Sequence, residues 1–147
     1  MRSFEYYTPT KVIFGKDTHL KIGELLKDYN CHKVLIHYGS ESAVKSGLIH
    51  EISKCLTEAG IDFVTLGGVV PNPRLSKVRE GISLCQKESV DFILAVGGGS
   101  VIDSAKAIGY GVAIHGPMSG IFFSKQRFQT PVFQSALSLR LPLPEAK

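Results

Sequence analysis

Residues 92–96 form the apolar run Phe-Ile-Leu-Ala-Val, and three glycines and a serine, residues 97–100, follow it directly. An unbroken apolar run of this length, ended by glycine, is typical of a strand that is buried on both faces of a parallel sheet. Residues 34–38 and residues 63–66 form two further runs of this kind, and each is also followed by glycine. Strands of this type require helices on both faces of the sheet that they form.

Amphipathic segments lie where such helices are needed. Apolar side chains recur at spacings of three and four from about residue 42 or 43 to residue 59 and again over residues 75–85. A helix over residues 100–112 is predicted after the glycines, and Asp17 is a candidate N-cap for a helix that reaches about residue 29. The alternation predicts a Rossmann-like α/β fold with a parallel sheet flanked by helices.

Two short aromatic and β-branched segments, residues 4–7 and 10–14, precede this alternation and predict an N-terminal β-hairpin. The chain has three scattered cysteines and no apolar run long enough to cross a membrane, and it begins without a secretory signal. We therefore expect a cytoplasmic protein without disulfides, with no membrane as a partner.

The net charge of +4 is unevenly distributed along the chain. Residues 114–147 hold four basic residues against one acidic residue, whereas residues 1–113 hold 13 basic and 12 acidic residues. The body of the protein therefore lacks the basic stripe that binding to a phosphate backbone requires, and no nucleic-acid partner is expected.

The turn Gly97-Gly98-Gly99-Ser100 carries the strongest chemical signal. Glycines allow a phosphate to approach backbone N–H groups that a Cβ would shield, and the helix that follows presents free N–H groups and a partial positive charge. Ser100 adds a hydroxyl group. The turn differs from both the Gly-x-Gly-x-x-Gly fingerprint and the Walker loop. We predict a phosphate cradle here, and a tight strand-to-helix turn without a ligand is the alternative.

The segment Gly39-Ser40-Glu41-Ser42 follows another predicted strand at the same edge of the sheet. Its small hydroxyl residues are candidates for contact with a ribose or a phosphate. Glu41 is placed to accept a hydrogen bond from a ribose 2′-hydroxyl, which favours a cofactor without a 2′-phosphate. Helix capping by Ser40 or Ser42 is the structural alternative.

Two further candidates lie near the same edge. Asn72 lies between two prolines in a loop after the strand at residues 63–66, and a stiff connection is its simpler interpretation. Asp103 is predicted on the first turn after the cradle, where a surface ion pair with Lys106 is the alternative to a role in the cleft.

Taken in order, four segments resemble the iron-containing alcohol dehydrogenases, and the butanol-dehydrogenase-like branch fits best. Each segment alone is a weak signal, but their order and spacing over residues 4–113 are specific. They are residues 7–15 (YTPTKVIFG), 37–40 (HYGS), 71–73 (PNP) and 97–106 (GGGSVIDSAK).

The resemblance implies a two-domain, NAD- or NADP-dependent enzyme that interconverts small primary alcohols and aldehydes and forms a homodimer when intact. The pyrophosphate would lie at residues 97–100, the adenosine end near Gly39, Ser40 and Ser42, and Asn72 and Asp103 beside the cofactor. In that family, iron or another divalent metal is held by an aspartate and three histidines of a helical C-terminal domain. No histidine of this chain falls in that motif, so the metal domain is expected to be missing and the chain itself inactive.

The sequence also allows two functions of other classes. One is a stand-alone nucleotide-binding module without catalysis, and the other is a protein-interaction adaptor that uses the basic tail. A polyol dehydrogenase of the same superfamily is a further possibility, although the sequence around residues 38–40 and 71–73 fits the butanol type better.

Residues 114–147 show no consistent period, and we predict a non-native or disordered tail after a dinucleotide-binding domain at residues 1–113. A reading frame that joins the third base of each codon to the first two bases of the next allows residues 117–122 to encode Asp-Val-Trp-Asp-Phe. The same frame allows residues 136–147 to encode Thr-Val-Leu-Thr-Ile-Ala-Ala-Ala-Gly-Ser-Glu. Both strings resemble the next two motifs of the family in the expected order.

We therefore predict a frameshift near codons 113–117. Sequencing the source DNA across and beyond these codons should recover the helical domain in the shifted frame. An intact gene with no such domain downstream in any frame would contradict this prediction.

Overall fold

The computed structural model describes residues 11–39 and 41–115, without the side chains of residues 41, 42, 114 and 115. Within these residues a 3-10 turn and five helices surround a three-stranded sheet. In chain order the elements are the 3-10 turn Thr18–Lys21, α1 Ile22–Asp28, β1 Lys33–Tyr38, α2 Glu41–Lys45, α3 Leu48–Glu58, β2 Asp62–Leu66, α4 Leu75–Lys87, β3 Phe92–Val96 and α5 Gly99–His115.

The sheet has the order β2-β1-β3 with all strands parallel, which confirms the predicted Rossmann-like α/β class. Of the predicted N-terminal hairpin, residues 4–7 lie outside the described residues, and residues 11–14 are not in a strand. The predicted tail lies almost entirely outside them as well. Helix α5 continues two residues past the predicted domain boundary at residue 113.

Helices cover both faces of the sheet. On one face α1 and α3 pack against alternate strand residues such as Ile36 and Leu94, and on the other face α4 and α5 pack against Leu35 and Ile93. All five residues of β3 are buried, as the unbroken apolar run predicts.

The strand order places a topological switch point between β1 and β3. The chain leaves β1 toward α2 and α3 on one face, whereas it leaves β3 directly into α5 on the other face. In open parallel sheets, ligands bind in the crevice outside the carboxyl ends of two such strands. The fold therefore puts the end of β1 and the glycine turn after β3 on the two sides of one crevice.

The prediction of a single helix from residue 42 or 43 to residue 59 is wrong in one respect, because the structure has two helices here, α2 and α3. Gly47 has a φ of +79°, a left-handed conformation that interrupts the helix at little cost in a residue without a Cβ. Val44, which the periodicity placed on the apolar face, is 52% exposed.

The predicted N-cap Asp17 precedes the 3-10 turn rather than an α-helix, and its side chain makes no capping hydrogen bond.

Hydrogen bonds to the carboxylate of Asp91 stabilise the amino edge of the sheet. The carboxylate accepts hydrogen bonds from the backbone N–H groups of His32 at 2.8 Å and Lys33 at 3.0 Å, and from the Cys31 thiol at 3.2 Å. Burial raises the pKa of Asp91, but these hydrogen bonds to its charged form outweigh burial and lower the pKa overall. One side chain thus joins the start of β3 to the start of β1.

Asp91→Asn should lower the free energy of unfolding by about 1 kcal/mol at pH 7, because hydrogen bonds to a charged acceptor are lost from a partly exposed site. The native pKa is depressed, so this contribution is complete above the ordinary value of 3.8 and is lost as the pH falls through the native pKa. Urea unfolding at several pH values measures the difference, and the exposed Asp62→Asn at the same edge is the control. A variant as stable as wild type at pH 7 would contradict this role.

Candidate functional site

Gly39 and the glycine turn at residues 97–99 meet at the carboxyl edge of the sheet, as the sequence predicts. Tyr38 and Val96 are register partners at the ends of β1 and β3, so the residues after them lie side by side. Val101 of α5 packs beneath both. A Cβ built on Gly39 would lie 3.4 Å from Val101 Cγ2, and one built on Gly97 would lie 2.7 Å from the same atom.

The glycines of the turn have different surroundings. Gly97 has a φ of +153° and no room for a Cβ above Val101, so its lack of a side chain serves the packing of α5. A Cβ on Gly98 or Gly99 would have no protein atom within 4 Å, and both residues are exposed. Packing within the described residues therefore accounts for Gly97, whereas the space above Gly98 and Gly99 is open to a ligand.

The first turn of α5 presents its free N–H groups to that space. The Gly98 carbonyl accepts hydrogen bonds from the N–H groups of Val101 at 3.0 Å and Ile102 at 3.2 Å, which makes Gly98 the N-cap. The N–H groups of Gly99 and Ser100 precede the first intrahelical donors and lie at the positive end of the helix dipole. Ser100 is half-buried beside them. An anion is the ligand that this arrangement favours.

The other residues that the sequence offered as cofactor ligands are less directly associated with the glycine turn. Asp103 is exposed on the second turn of α5 rather than on the predicted first turn, because the helix already begins at Gly99. Within the described residues no ion pair joins it to Lys106. Ser40 lies outside the described residues, and Ser42 is in α2 with its side chain not described. Asn72 lies in the exposed loop after β2, at the same edge but on the far side of β1 from β3.

Asn72 also departs from the extended conformation that a following proline favours. Its φ is +59°, in the left-handed region that asparagine tolerates better than most residues. The first residues of this loop lie along the end of β1, where the Gly39 carbonyl accepts a hydrogen bond from the Gly68 N–H at 3.1 Å. This loop thereby extends the crevice from the end of β1 toward β2.

A cleft of about 310 Å³ opens beside this loop. Its polar side chains come from the start of α4, where Lys77 Nζ lies 2.8 Å from a carboxylate oxygen of Glu80. The lining also includes Val69, Pro73 and Arg74. The carboxyl edge of the sheet thus has a cleft between the loop after β2 and the start of α4.

Three buried polar groups that the sequence did not reveal are joined by hydrogen bonds beneath the crevice. His37 Nδ1 lies 2.8 Å from the Leu66 carbonyl oxygen, and His37 Nε2 lies 2.8 Å from Ser104 Oγ. Burial lowers the pKa of His37, an effect to which Lys77 adds and which the hydrogen bond to Leu66 and the charge of Glu80 oppose. The available signal was a histidine in the otherwise apolar strand β1 together with a serine on the inner face of α5.

The described residues contain no group of three His, Cys, Asp or Glu side chains that could hold a metal ion. Burial raises the pKa values of Cys31 and Cys85 to about 12, with Asp91 adding to the shift of Cys31, so both thiols stay protonated at neutral pH. The residues at hand therefore fit an anionic ligand and do not fit a metal. No described helix is long and apolar enough to span a membrane.

Comparison with known proteins places the chain in a defined group. The family model "Iron-containing alcohol dehydrogenase" matches residues 9–135, a range that extends past the domain boundary predicted at residue 113. The chain is 46% identical over 125 residues to the probable NADH-dependent butanol dehydrogenase 2 of Bacillus subtilis (strain 168). This match covers 85% of the chain and 32% of that protein.

Two more similarities agree with this match. NADH-dependent butanol dehydrogenase A of Clostridium acetobutylicum is 46% identical over 116 residues, which cover 79% of this chain and 30% of that protein. The crystal structure of NADH-dependent butanol dehydrogenase A from Thermotoga maritima superimposes with a TM-score of 0.76 at 42% identity. That match covers 88% of this chain and 32% of the other. The chain thus spans about a third of the length of the relatives that it matches.

The contrast between the glycines predicts different responses to alanine. Gly97→Ala should lower the free energy of unfolding by about 1–3 kcal/mol, because its Cβ overlaps Val101 and its φ suits only glycine. Gly99→Ala should leave stability unchanged or raise it by up to about 1 kcal/mol, because Gly99 is helical and its Cβ meets open space. Chemical denaturation measures both changes. Equal destabilisation by the two variants would contradict the assignment.

Proposed function

Because this chain belongs to the iron-containing alcohol dehydrogenase family, we propose that it is the cofactor-binding part of a metal-dependent, NAD(H)-linked alcohol dehydrogenase. The family membership confirms the resemblance found in the sequence. The proposed reaction is the interconversion of small primary alcohols and aldehydes of the butanol type. The observation that carries the proposal is the open glycine turn at the topological switch point.

The cradle at residues 97–100 would hold the pyrophosphate of the dinucleotide. The N–H groups of Gly99 and Ser100 would donate hydrogen bonds to phosphate oxygens, and the dipole of α5 would stabilise their charge. The absence of a Cβ at Gly98 and Gly99 leaves room for those oxygens within hydrogen-bonding distance of the backbone. Gly97 lets α5 begin directly at the edge of the sheet.

The adenosine end of the cofactor would extend from the cradle toward β2. Gly39 would allow close approach at the end of β1, Ser40 and Ser42 would supply hydroxyl groups, and Asn72 would lie at the far end. Asp103, which lies on α5, would face the end of the cradle opposite to the adenosine. The hydrogen bond from the Gly68 N–H to the Gly39 carbonyl, which joins the loop after β2 to the end of β1, supports this direction.

We propose NADH rather than NADPH as the preferred cofactor. Glu41 would accept a hydrogen bond from the ribose 2′-hydroxyl, and its charge would repel a 2′-phosphate. The two Bacillus and Clostridium relatives and the Thermotoga structure carry NADH-dependent names, which supports the same choice.

The nicotinamide supplies the hydride chemistry when the cofactor is bound. The part that this chain plays is to bind and orient the cofactor, because its described residues hold no cluster of metal ligands. We propose that the metal site belongs to the remaining two-thirds of the enzyme, that the intact enzyme is a cytoplasmic homodimer, and that this chain alone binds NADH without turnover.

Titration of the 147-residue chain with NADH, followed by calorimetry, should give a saturable one-site binding curve, with weaker binding of NADPH. Gly99→Ala should weaken NADH binding at least about tenfold, because a Cβ at the helix start tilts toward the N-terminus, where the phosphate would lie. The exposed Glu24→Ala on α1 is the matched control and should bind as wild type does.

The same preparation should not oxidise butanol or reduce butanal with added iron or zinc. Turnover by this chain alone would contradict the assignment of the metal site. Failure of wild type to bind NADH, or equal binding by Gly99→Ala, would contradict the assignment of the cradle.

A further inference from the structure

We propose that His37 is a positioning residue for the phosphate cradle, acting through its hydrogen bond to Ser104 on α5. The proposal rests on the cradle assigned above and deepens it, because it names the contact that holds the N–H groups of the cradle in place. His37 and Ser104 are both fully buried, with 0% of each residue exposed.

The hydrogen-bond partners determine which nitrogen of the ring carries the proton. The Leu66 carbonyl oxygen can only accept, so His37 Nδ1 donates to it. In the neutral ring Nε2 then has a free lone pair, and the Ser104 hydroxyl donates to it. Burial, which favours the neutral ring, is consistent with this arrangement. The ring therefore joins the end of β2, the end of β1 and the second turn of α5.

A polar ring at this position contrasts with its neighbours. The residues of the same core layer, such as Leu35, Ile93 and Ala95, are apolar. Burying a polar ring costs free energy unless both nitrogens find partners, and an aliphatic side chain would fill this layer without that requirement. The histidine therefore contributes direction as well as volume, and the direction is toward α5.

Helix α5 contacts the sheet and α4 at several successive levels. Val101 lies beneath Gly97, Ser104 bonds to His37, and Ile108 fits into the space left by Gly81 of α4. Apolar contacts such as the first and the third set the closeness of packing but have no preferred direction of their own. The hydrogen bond between them is directional, so it adds to their constraint on the height and the rotation of α5 on the sheet.

The position of α5 determines where the cradle points. Gly99 and Ser104 belong to the same continuous helix, about 7.5 Å apart along its axis. Hydrogen bonds to a phosphate oxygen need donor–acceptor distances of about 2.7–3.2 Å, so a displacement of about half an ångström at the first turn weakens them. Losing the bond at Ser104 should therefore lower affinity for the cofactor in chains that are still folded.

The test compares three variants of the 147-residue chain by NADH titration at a temperature at which each is fully folded. Ser104→Ala removes the donor, Ser104→Thr keeps a hydroxyl group, and Ile52→Val trims a fully buried side chain beneath the opposite face of the sheet. We expect Ser104→Ala to weaken binding about tenfold, the size of effect expected when the displaced first turn of α5 loses one hydrogen bond to the phosphate. Ser104→Thr and Ile52→Val should stay within about twofold of wild type.

Amide hydrogen exchange at Val101 and Ile102 provides a second readout that needs no ligand. Both amides are bonded to the Gly98 carbonyl, and their exchange should be at least about fivefold faster in Ser104→Ala than in Ile52→Val. Unchanged exchange and unchanged NADH affinity in Ser104→Ala would overturn the proposal. Equal loss of affinity in Ile52→Val would overturn it too, because general destabilisation would then explain the effect.

The two readouts also separate this proposal from the proposed function. If the wild-type chain fails to bind NADH, the cofactor assignment is wrong, and the exchange rates alone decide whether His37 positions the first turn of α5. If wild type binds NADH and the exchange of Ser104→Ala matches that of Ile52→Val, the cofactor assignment stands and the role of His37 is overturned.

Discussion

The packing of Val101 beneath two glycines is the contact on which the rest of the site depends. A Cβ at Gly97 would overlap the Val101 side chain, and one at Gly39 would lie in contact with it at 3.4 Å. Without that close approach α5 would begin farther from the sheet, and the free N–H groups of its first turn would no longer lie above the crevice between β1 and β3. The absence of a side chain at Gly97 therefore lets the N-terminus of α5 lie directly at the edge of the sheet.

Much of the fold could be predicted from the sequence because burial leaves a simple pattern. The run at residues 92–96 is buried at every position, since the sheet is covered on both faces, and the structure gives β3 the same bounds. Helix α4 follows from apolar residues at spacings of three and four. The glycine turn was identifiable because three consecutive glycines after a buried strand have few structural explanations.

Other features depend on contacts that a periodicity does not reveal. The division between α2 and α3 comes from the left-handed conformation of Gly47, whereas the apolar pattern continues across it. The bond between His37 and Ser104 joins residues 67 positions apart, and each of them resembles an isolated polar residue in an apolar segment. Asn72 occupies a left-handed conformation despite the proline after it, which a rule for single residues did not foresee.

The proposed function requires that the N–H groups at the start of α5 bind the pyrophosphate of a nicotinamide dinucleotide. A titration of the 15N-labelled chain with NADH, followed amide by amide by nuclear magnetic resonance, tests it most directly. We expect the largest saturable shifts at Gly98, Gly99, Ser100 and Gly39, with little change at the amino edge of the sheet around Asp91. Saturable shifts that leave these four amides unchanged, or no saturable shift at any amide, would contradict it.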